Sequence, residues 1–363
     1  MVFNEVLIVD PVIGCAPGRV ETHNHLISAV IPQECKPEYL LMPGFVDLHT
    51  HAQKGIDTMF AGQEEYTRWA QNNFEQGVTT FLPTTVSASI KNLKNVLRKA
   101  DRLPLSIDGI HLEGPFINPA KKGAQNAEFI ISAKDCDLSE IIKEPVRIVT
   151  AAPEVEGFDT LHEVCQKKDA ALSIGHTAAT YETMKRAYEM GVRRITHFPN
   201  ALSPLLHREI GATGAGLYLD FDLEMIVDGI HSSPEFVDLV YRVKGSDRIL
   251  LITDSMAAAG LEDGEYTLGG LAVFVKGGKA VLKDGTLAGS TLLFIEGVRN
   301  FYRFTRCSYG DLVKVSSWNA LKQLKLEATV GRIHPGYLAN FVLLDKSLNL
   351  KKTVFQGELV FSA

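Results

Sequence analysis

The 363-residue chain predicts an α/β fold: a (β/α)8 TIM-like barrel with a small β-sandwich domain formed by both chain ends. Three observations carry this expectation. Eight β-rich runs recur at spacings of about 20 to 40 residues, enough for a strand, a loop and a helix in each unit. Both ends of the chain read as short strands broken by turns. Histidines and carboxylates close successive apolar runs, where a parallel barrel places its working residues.

Taken in order, residues 1–45 hold short strands separated by Asp10-Pro11 and Pro17-Gly18. Barrel strands are expected at Phe45–Leu48, Val78–Pro83, Ile107–Leu112, Val146–Ala151, Ala171–Ile174, Arg194–Thr196, Leu223–Val227 and Arg248–Ile252. Glu65–Gln76, Ile90–Asp101, Thr180–Glu189 and Ser233–Lys244 carry apolar residues at three- and four-residue steps, the period of an amphipathic helix. The glycine-bearing stretch Tyr266–Thr286 reads as a β-hairpin inserted after the eighth strand. ANFVLLD and KKTVFQGELVFSA, in residues 336–363, read as strands. Residues 1–45 and 336–363 are therefore expected to pair as the small domain, and residues 46–335 to form the barrel. A doubly wound sheet is the alternative, but no G-x-G-x-x-G follows the first strand.

Composition excludes several classes. Hydrophobic residues make up 45% of the chain, ample for a large core. A net charge of −6 argues against nucleic-acid or anionic-membrane partners. A small anion would need only a local positive site. No run of about 18 apolar residues suggests a membrane span. MVFNEVLIVDPVIG lacks a basic n-region and a signal-like cleavage pattern. The five cysteines are scattered and form no C-x-x-C, which points to reduced thiols and a cytoplasmic protein.

The chemistry begins at His49-Thr50-His51. Side chains two apart on a strand share a face, so both imidazoles can grip one cation beside a loop. A lone His-x-His is weak, but Glu113, His176, His197 and Asp254 also end apolar runs. Each alone has a plainer use: a hydrogen-bonded histidine, a turn-capping Glu113, or a helix-capping Asp254. Together at one rim they would be costly to bury without a cation. Nitrogen and oxygen ligands suit zinc, iron, cobalt or manganese. Glu113 could bridge two ions, with His49 and His51 on one and His176 and His197 on the other. Asp254 is placed to take a proton from a metal-coordinated water, whose pKa falls from 15.7 to roughly 7, and pass it to a leaving group.

A second cluster suits an anion. Asn200-Ala201 follows His197, and Arg208 lies in SPLLHREIGATGAG. Backbone N–H groups, an amide and a guanidinium can donate to phosphate oxygens, and His231 could add another donor. Lys121 and Lys122 could attract anions but suit a solvated turn. His162, His207 and His334 read as structural or surface residues, and the His23/His25 pair as chance.

In this order the motifs PGFVDLHTHA, HLEGPFINPAKKGAQ, SIGHT, THFPNA, IVDGIH, LITDSMAAAGLEDGEYTLGG, LAGSTLLFIEGVRN and GRIHPGYLANFVLLD resemble the amidohydrolase superfamily. The resemblance is nearest to the N-acetylglucosamine-6-phosphate deacetylases and spans nearly the whole chain. It implies hydrolysis of the acetamide of N-acetyl-D-glucosamine 6-phosphate, in amino-sugar catabolism and cell-wall recycling. It further implies that Glu113, His176 and His197 hold the principal divalent metal and that Asp254 is the acid/base. Ala124, Gln125, Asn200, Ala201, Arg208, Asp228, His231, Leu287, Ala288 and Gly289 would contact the sugar phosphate. Some members use one metal; His49 and His51 here favour two. Some carry histidine where this chain has Gln125, which can donate a hydrogen bond but cannot carry a proton. The resemblance also implies a homodimer in which Arg208 can reach a neighbouring subunit. Rival readings are the N-acetylgalactosamine 6-phosphate epimer, a cyclic-amide hydrolase or deaminase, and a catalytically silent binding protein on the same fold. VTAAPE, with no lysine after the fourth strand, counts against the cyclic-amide reading.

Overall fold

The computed structural model describes all 363 residues. Six parallel strands hydrogen-bond in chain order: Ile110–Glu113, Val146–Ala151, Ala171–Ile174, Arg194–Ile195, Asp222–Ile226 and Ile249–Ile252. Ahead of them, Phe45–Thr50 and Val78–Pro83 form a parallel pair. Bridges from Phe81 to Ile107 and from Thr84 to His111 carry this pair onto the six. On the far side Asp254 N–H donates to His49 O at 2.8 Å and His51 N–H to Ser255 O at 2.8 Å, closing the ring. Each of the eight expected runs supplies one barrel strand. The third starts at Ile110 rather than Ile107, because Gly109 takes a left-handed-side φ of 136° that breaks the extended run.

The helices expected between strands lie at Gln63–Phe74, Ile90–Lys99, Tyr181–Glu189 and Pro234–Lys244. Ser89, Thr180 and Ser233 cap three of them, each accepting from the main-chain N–H three residues on. Pro234 occupies the first turn, where its missing N–H is not needed.

Both chain ends enter one seven-stranded sheet. Its joint is Tyr39–Pro43, parallel to Val2–Asp10 on one side and antiparallel to Phe341–Asp345 on the other. Gly14–His23 and Leu26–Pro32 extend one edge, Leu350–Phe355 and Glu358–Ser362 the other. Phe3, Ile8, Leu41, Phe341 and Val354 are among the side chains of its own core. Arg332 clamps Asp10 of the first strand at 3.1–3.3 Å. The small domain is thus one continuous hydrogen-bonded sheet. The insertion after the eighth barrel strand has a third strand beyond the expected hairpin: Gly264–Leu268, Leu271–Lys276 and Lys279–Val281 run antiparallel.

The barrel interior is graded from apolar to polar. At the N-terminal mouth Val46, Leu48, Leu82, Ile148 and Leu250 pack on Leu321 and Leu324 of the last helix, Asn319–Leu324. Asn319 ties that plug down by donating to the carbonyls of Ser246 and Ile249 at 2.7 and 2.9 Å. Above it lies a layer of short polar side chains. His111 Nε2 meets Thr150 Oγ1 at 2.8 Å, Thr150 meets Thr196 at 2.8 Å, and Thr196 meets Ser173 at 2.6 Å. These buried groups hydrogen-bond one another, which offsets the cost of desolvating them beneath the cavity. The chemistry-bearing residues stand above it, at the C-terminal mouth.

Candidate active site

Four imidazoles converge on one carboxylate. His49 and His51 end the first barrel strand, Glu113 the third, His176 follows the fifth and His197 the sixth. All five are buried. His176 Nε2 and His197 Nε2 lie 3.0 and 2.9 Å from Glu113 Oε1, and 3.0 Å from each other. His51 Nε2 lies 3.3 Å from Glu113 Oε2, and His49 Nε2 3.6 Å from Oε1.

The opposite ring nitrogens fix what these Nε2 atoms present. His176 Nδ1 donates to Lys121 O at 2.8 Å and His51 Nδ1 to Thr84 O at 3.1 Å. A carbonyl can only accept, so Nδ1 carries the proton in both rings. His49 Nδ1 donates to Glu224 Oε2 at 3.0 Å. Without a proton on Nε2, these three rings would aim lone pairs at a carboxylate that is itself an acceptor. His49 Nε2 and Asp254 Oδ1 are buried with no hydrogen-bond partner. Only positive charge reconciles acceptors facing acceptors. With protons alone to supply it, burial opposes a charged His51, yet Asp254 and Glu113 outweigh burial and push it up to about 9. Burial likewise opposes ionised Glu113, but the imidazoles hold it well below the usual carboxylate range.

The same arrangement fits a divalent cation. A tetrahedral ion with bonds near 2.0 Å spaces its ligand atoms roughly 3.3 Å apart. Two sets have ligand atoms within 4.8 Å of one another: His49, His51 and Glu113, and Glu113, His176 and His197. Glu113 belongs to both.

Asp254 follows the eighth strand and lies against the first pair, Oδ1 being 3.4 Å from His49 Nε2 and 3.1 Å from His51 Nε2. Its carboxylate is held below the ordinary range: burial opposes this, and His49 and His51 prevail. His176, His197 and Asp254 all have positive φ, at 47°, 31° and 50°. Non-glycine residues in the left-handed region carry backbone strain, and such strain clusters at functional sites.

Around this centre opens a cavity of about 350 Å3. His51, Glu113, Ala124, Gln125, His176, His197, Asn200, Ala201, His231, Asp254, Leu287 and Gly289 line it. His49 lies beneath the floor, and Ala288 is fully buried behind its neighbours. Asp228 stands behind His231, accepting from its Nδ1 at 2.7 Å and leaving Nε2 for the cavity. Burial disfavours a charged His231, but the bond and charge of Asp228 raise its pKa. Gln125 is already engaged: Ser87 N–H donates to its Oε1 at 2.6 Å, and its Nε2 donates to Glu113 Oε2 at 2.7 Å. Arg208 does not enter the cavity. It sits on the exposed loop before Gly211–Tyr218 and makes no hydrogen bond or ion pair within the chain. Lys121 lines the cavity with its ammonium on Leu202 O at 3.0 Å. His23 and His334 are exposed, as is His25, whose Nδ1 meets Gln356 O.

The sequence reading missed four contributors. Glu224 and Arg194 form a buried ion pair under His49. His111 packs edge-on against the His49 ring, centroids 4.7 Å apart. Leu268, from the insertion, supplies cavity wall. The signal for the first two was available: charged residues within barrel strands, in RRIT and DLEMI. A larger cleft of about 610 Å3, between Arg147, Arg193 and the last helix, opens at the opposite mouth and gathers no such ligand set.

The sequence profile of the amidohydrolase family matches residues 40–360. The N-acetylglucosamine-6-phosphate deacetylase of Bacillus subtilis is 36% identical over 379 residues, covering 99% of this chain and 94% of the relative. The N-acetylgalactosamine-6-phosphate deacetylase of Escherichia coli O157:H7 is 33% identical over 330 residues, covering 88% and 87%. Among solved structures, an N-acetylglucosamine-6-phosphate deacetylase from Thermotoga maritima matches at a TM-score of 0.95 with 49% identity, covering 100% of both chains.

Proposed function

This chain belongs to the amidohydrolase family, and we propose that it hydrolyses the acetamide of N-acetyl-D-glucosamine 6-phosphate to D-glucosamine 6-phosphate and acetate. The observation that carries the reading is the convergence of the His49, His51, His176 and His197 Nε2 atoms on Glu113, beside Asp254. The high identity to deacetylases of this substrate supports the choice of sugar. The galacto epimer is the weaker fit, with lower identity to the relative that acts on it.

His49, His51, Glu113, His176 and His197 would hold the metal, and their two ligand sets would suit two ions per subunit. Zinc, iron, cobalt and manganese all suit this donor set. A divalent cation bound there acidifies water and polarises the amide carbonyl. Asp254 takes the water's proton on its unpartnered Oδ1 and returns it to the departing amine. His231 presents a donor whose charge Asp228 sustains, suited to a substrate oxygen. Gln125 steadies Glu113, which leaves it one spare amide hydrogen for substrate. Asn200, Ala201, Leu287 and Gly289 line the same cavity. Anchoring at the remote phosphate orients the amide for attack.

Arg208 is the phosphate ligand in this reading, and it serves a neighbouring subunit of a homodimer. Its exposed loop, with Leu205 and Leu206 also exposed, supports that placement. The five free cysteines support a reducing, cytoplasmic location. No helix is long and apolar enough to cross a membrane.

Acetate release from N-acetylglucosamine 6-phosphate, its galacto epimer and the unphosphorylated sugar tests the proposal. The gluco phosphate should turn over fastest. No acetate from any of the three, with metal loaded, would overturn it.

A further inference from the structure

Glu224 sits where barrel strands ordinarily place branched apolar residues, and it is fully buried. Its two oxygens are divided. Oε1 faces Arg194 of the neighbouring strand, accepting from Nε at 2.6 Å. Oε2 faces the active site, accepting from His49 Nδ1 at 3.0 Å and from the main-chain N–H of His197 at 3.2 Å. One carboxylate oxygen thus touches both candidate half-sites, the His49 ring on one side and the strained His197 turn, φ 31°, on the other. Stability alone is a poor reason for such a pair, because well-packed apolar residues often replace a buried ion pair without loss.

We propose that Glu224, pinned by Arg194, is a positioning residue for the metal centre, setting the His49 tautomer and the His197 backbone together. The inference rests on the metal reading above. Arg194 occupies Oε1, so Oε2 is the oxygen left for the site. His49 Nδ1 then keeps its proton and Nε2 stays bare toward Glu113 and Asp254. A ring turned over about Cβ–Cγ would put carbon atoms in both places. His111, edge-on at 4.7 Å, packs against the ring but offers no acceptor to it.

Glu224→Gln has nearly the same volume but exchanges one acceptor for a donor. Either Arg194 or the His49/His197 pair then meets an N–H. Zinc affinity of the most weakly held ion, measured by chelator competition, should fall about 10- to 100-fold. Adding Arg194→Met lets the amide oxygen turn back toward His49 and should recover most of that loss. A purely structural ion pair would show no such recovery. Zinc-loaded wild-type protein labelled with 15N-histidine supplies a reading free of folding effects: His49 should show a Nδ1 proton protected from solvent exchange. An unprotected or absent Nδ1 proton, or unchanged zinc affinity in Glu224→Gln, overturns the positioning role alone. Failure of wild-type protein to retain zinc at all overturns the metal reading and this inference with it.

Discussion

In the proposed reading, Asp254 carries the proton transfers. Its Oδ1 is buried, lacks a hydrogen-bond partner and faces two imidazole nitrogens. Asp254→Asn keeps the shape and removes the base. Turnover should fall by about 10²- to 10⁴-fold or more, while bound metal stays near the wild-type amount. An active Asn variant would remove Asp254 from the acid/base role. Across the cavity, Asp228 raises the pKa of His231 against the effect of burial. A histidine with a raised folded pKa adds stability that is complete below its unfolded pKa, about 6.5, and fades as pH climbs through the folded value. Asp228, whose own pKa is lowered, adds stability that is complete above about 3.9 and fades in acid. The pair is therefore worth most in the mildly acidic window between those values. Asp228→Asn should move the His231 titration, followed by NMR, to lower pH. A titration that stays put or rises would mean another group sustains the charge. Asp254 and His231 were legible because each follows an apolar run, whereas Asp228 came from the family resemblance. Glu224 and Arg194 carried only the signal of charge within barrel strands, which did not show that the two would pair. Their meeting depends on the register that pairs Arg194 with Asp222 and sets Glu224 beside it.

Elements with a clear period were read closely, as Val78–Pro83, Val146–Ala151 and Ala171–Ile174 show. The helix Gly211–Tyr218 was missed, since GATGAGLY has three glycines and no amphipathic stripe. Its packing explains the composition. A Cβ on Gly216 would lie 2.7 Å from Phe198 Cε2 and 3.0 Å from Ile195 Cδ1. The glycine lets the helix approach the strand that carries His197. Alanine gains roughly 1 kcal/mol of helix propensity, but overpacking costs about 1–3 kcal/mol. Gly216→Ala should therefore lower the denaturation midpoint in urea. A raised midpoint would show that Phe198 yields freely. The three-stranded insertion exceeded the expected hairpin for a related reason. Lys279–Val281 is too short to announce itself, and pairing with Leu271–Lys276 defines it.

At the scale of the whole molecule, the sequence could show that both ends were β-rich but not their register. That register is non-local: Phe341 lies opposite Pro43. The assembly of chains is the next level up. If Arg208 serves a neighbouring subunit, Arg208→Ala and Asp254→Asn impair different halves of a shared site. Each variant alone should be slow at low concentrations of phosphorylated sugar. Mixed after dissociation and reassociation, they should regain activity through heterodimers holding one intact site. No recovery would assign Arg208 to its own chain.

In the proposed reading, four imidazoles and Glu113 from four barrel strands hold the cation, and Asp254 from a fifth moves the proton. Metal-stripped protein, titrated back with counted equivalents of zinc or iron while acetate release from N-acetylglucosamine 6-phosphate is followed, tests it directly. Activity should be absent at the start, rise with bound metal and level off at two equivalents per chain. Full acetate release from the stripped protein, or none from the fully loaded one, would contradict it.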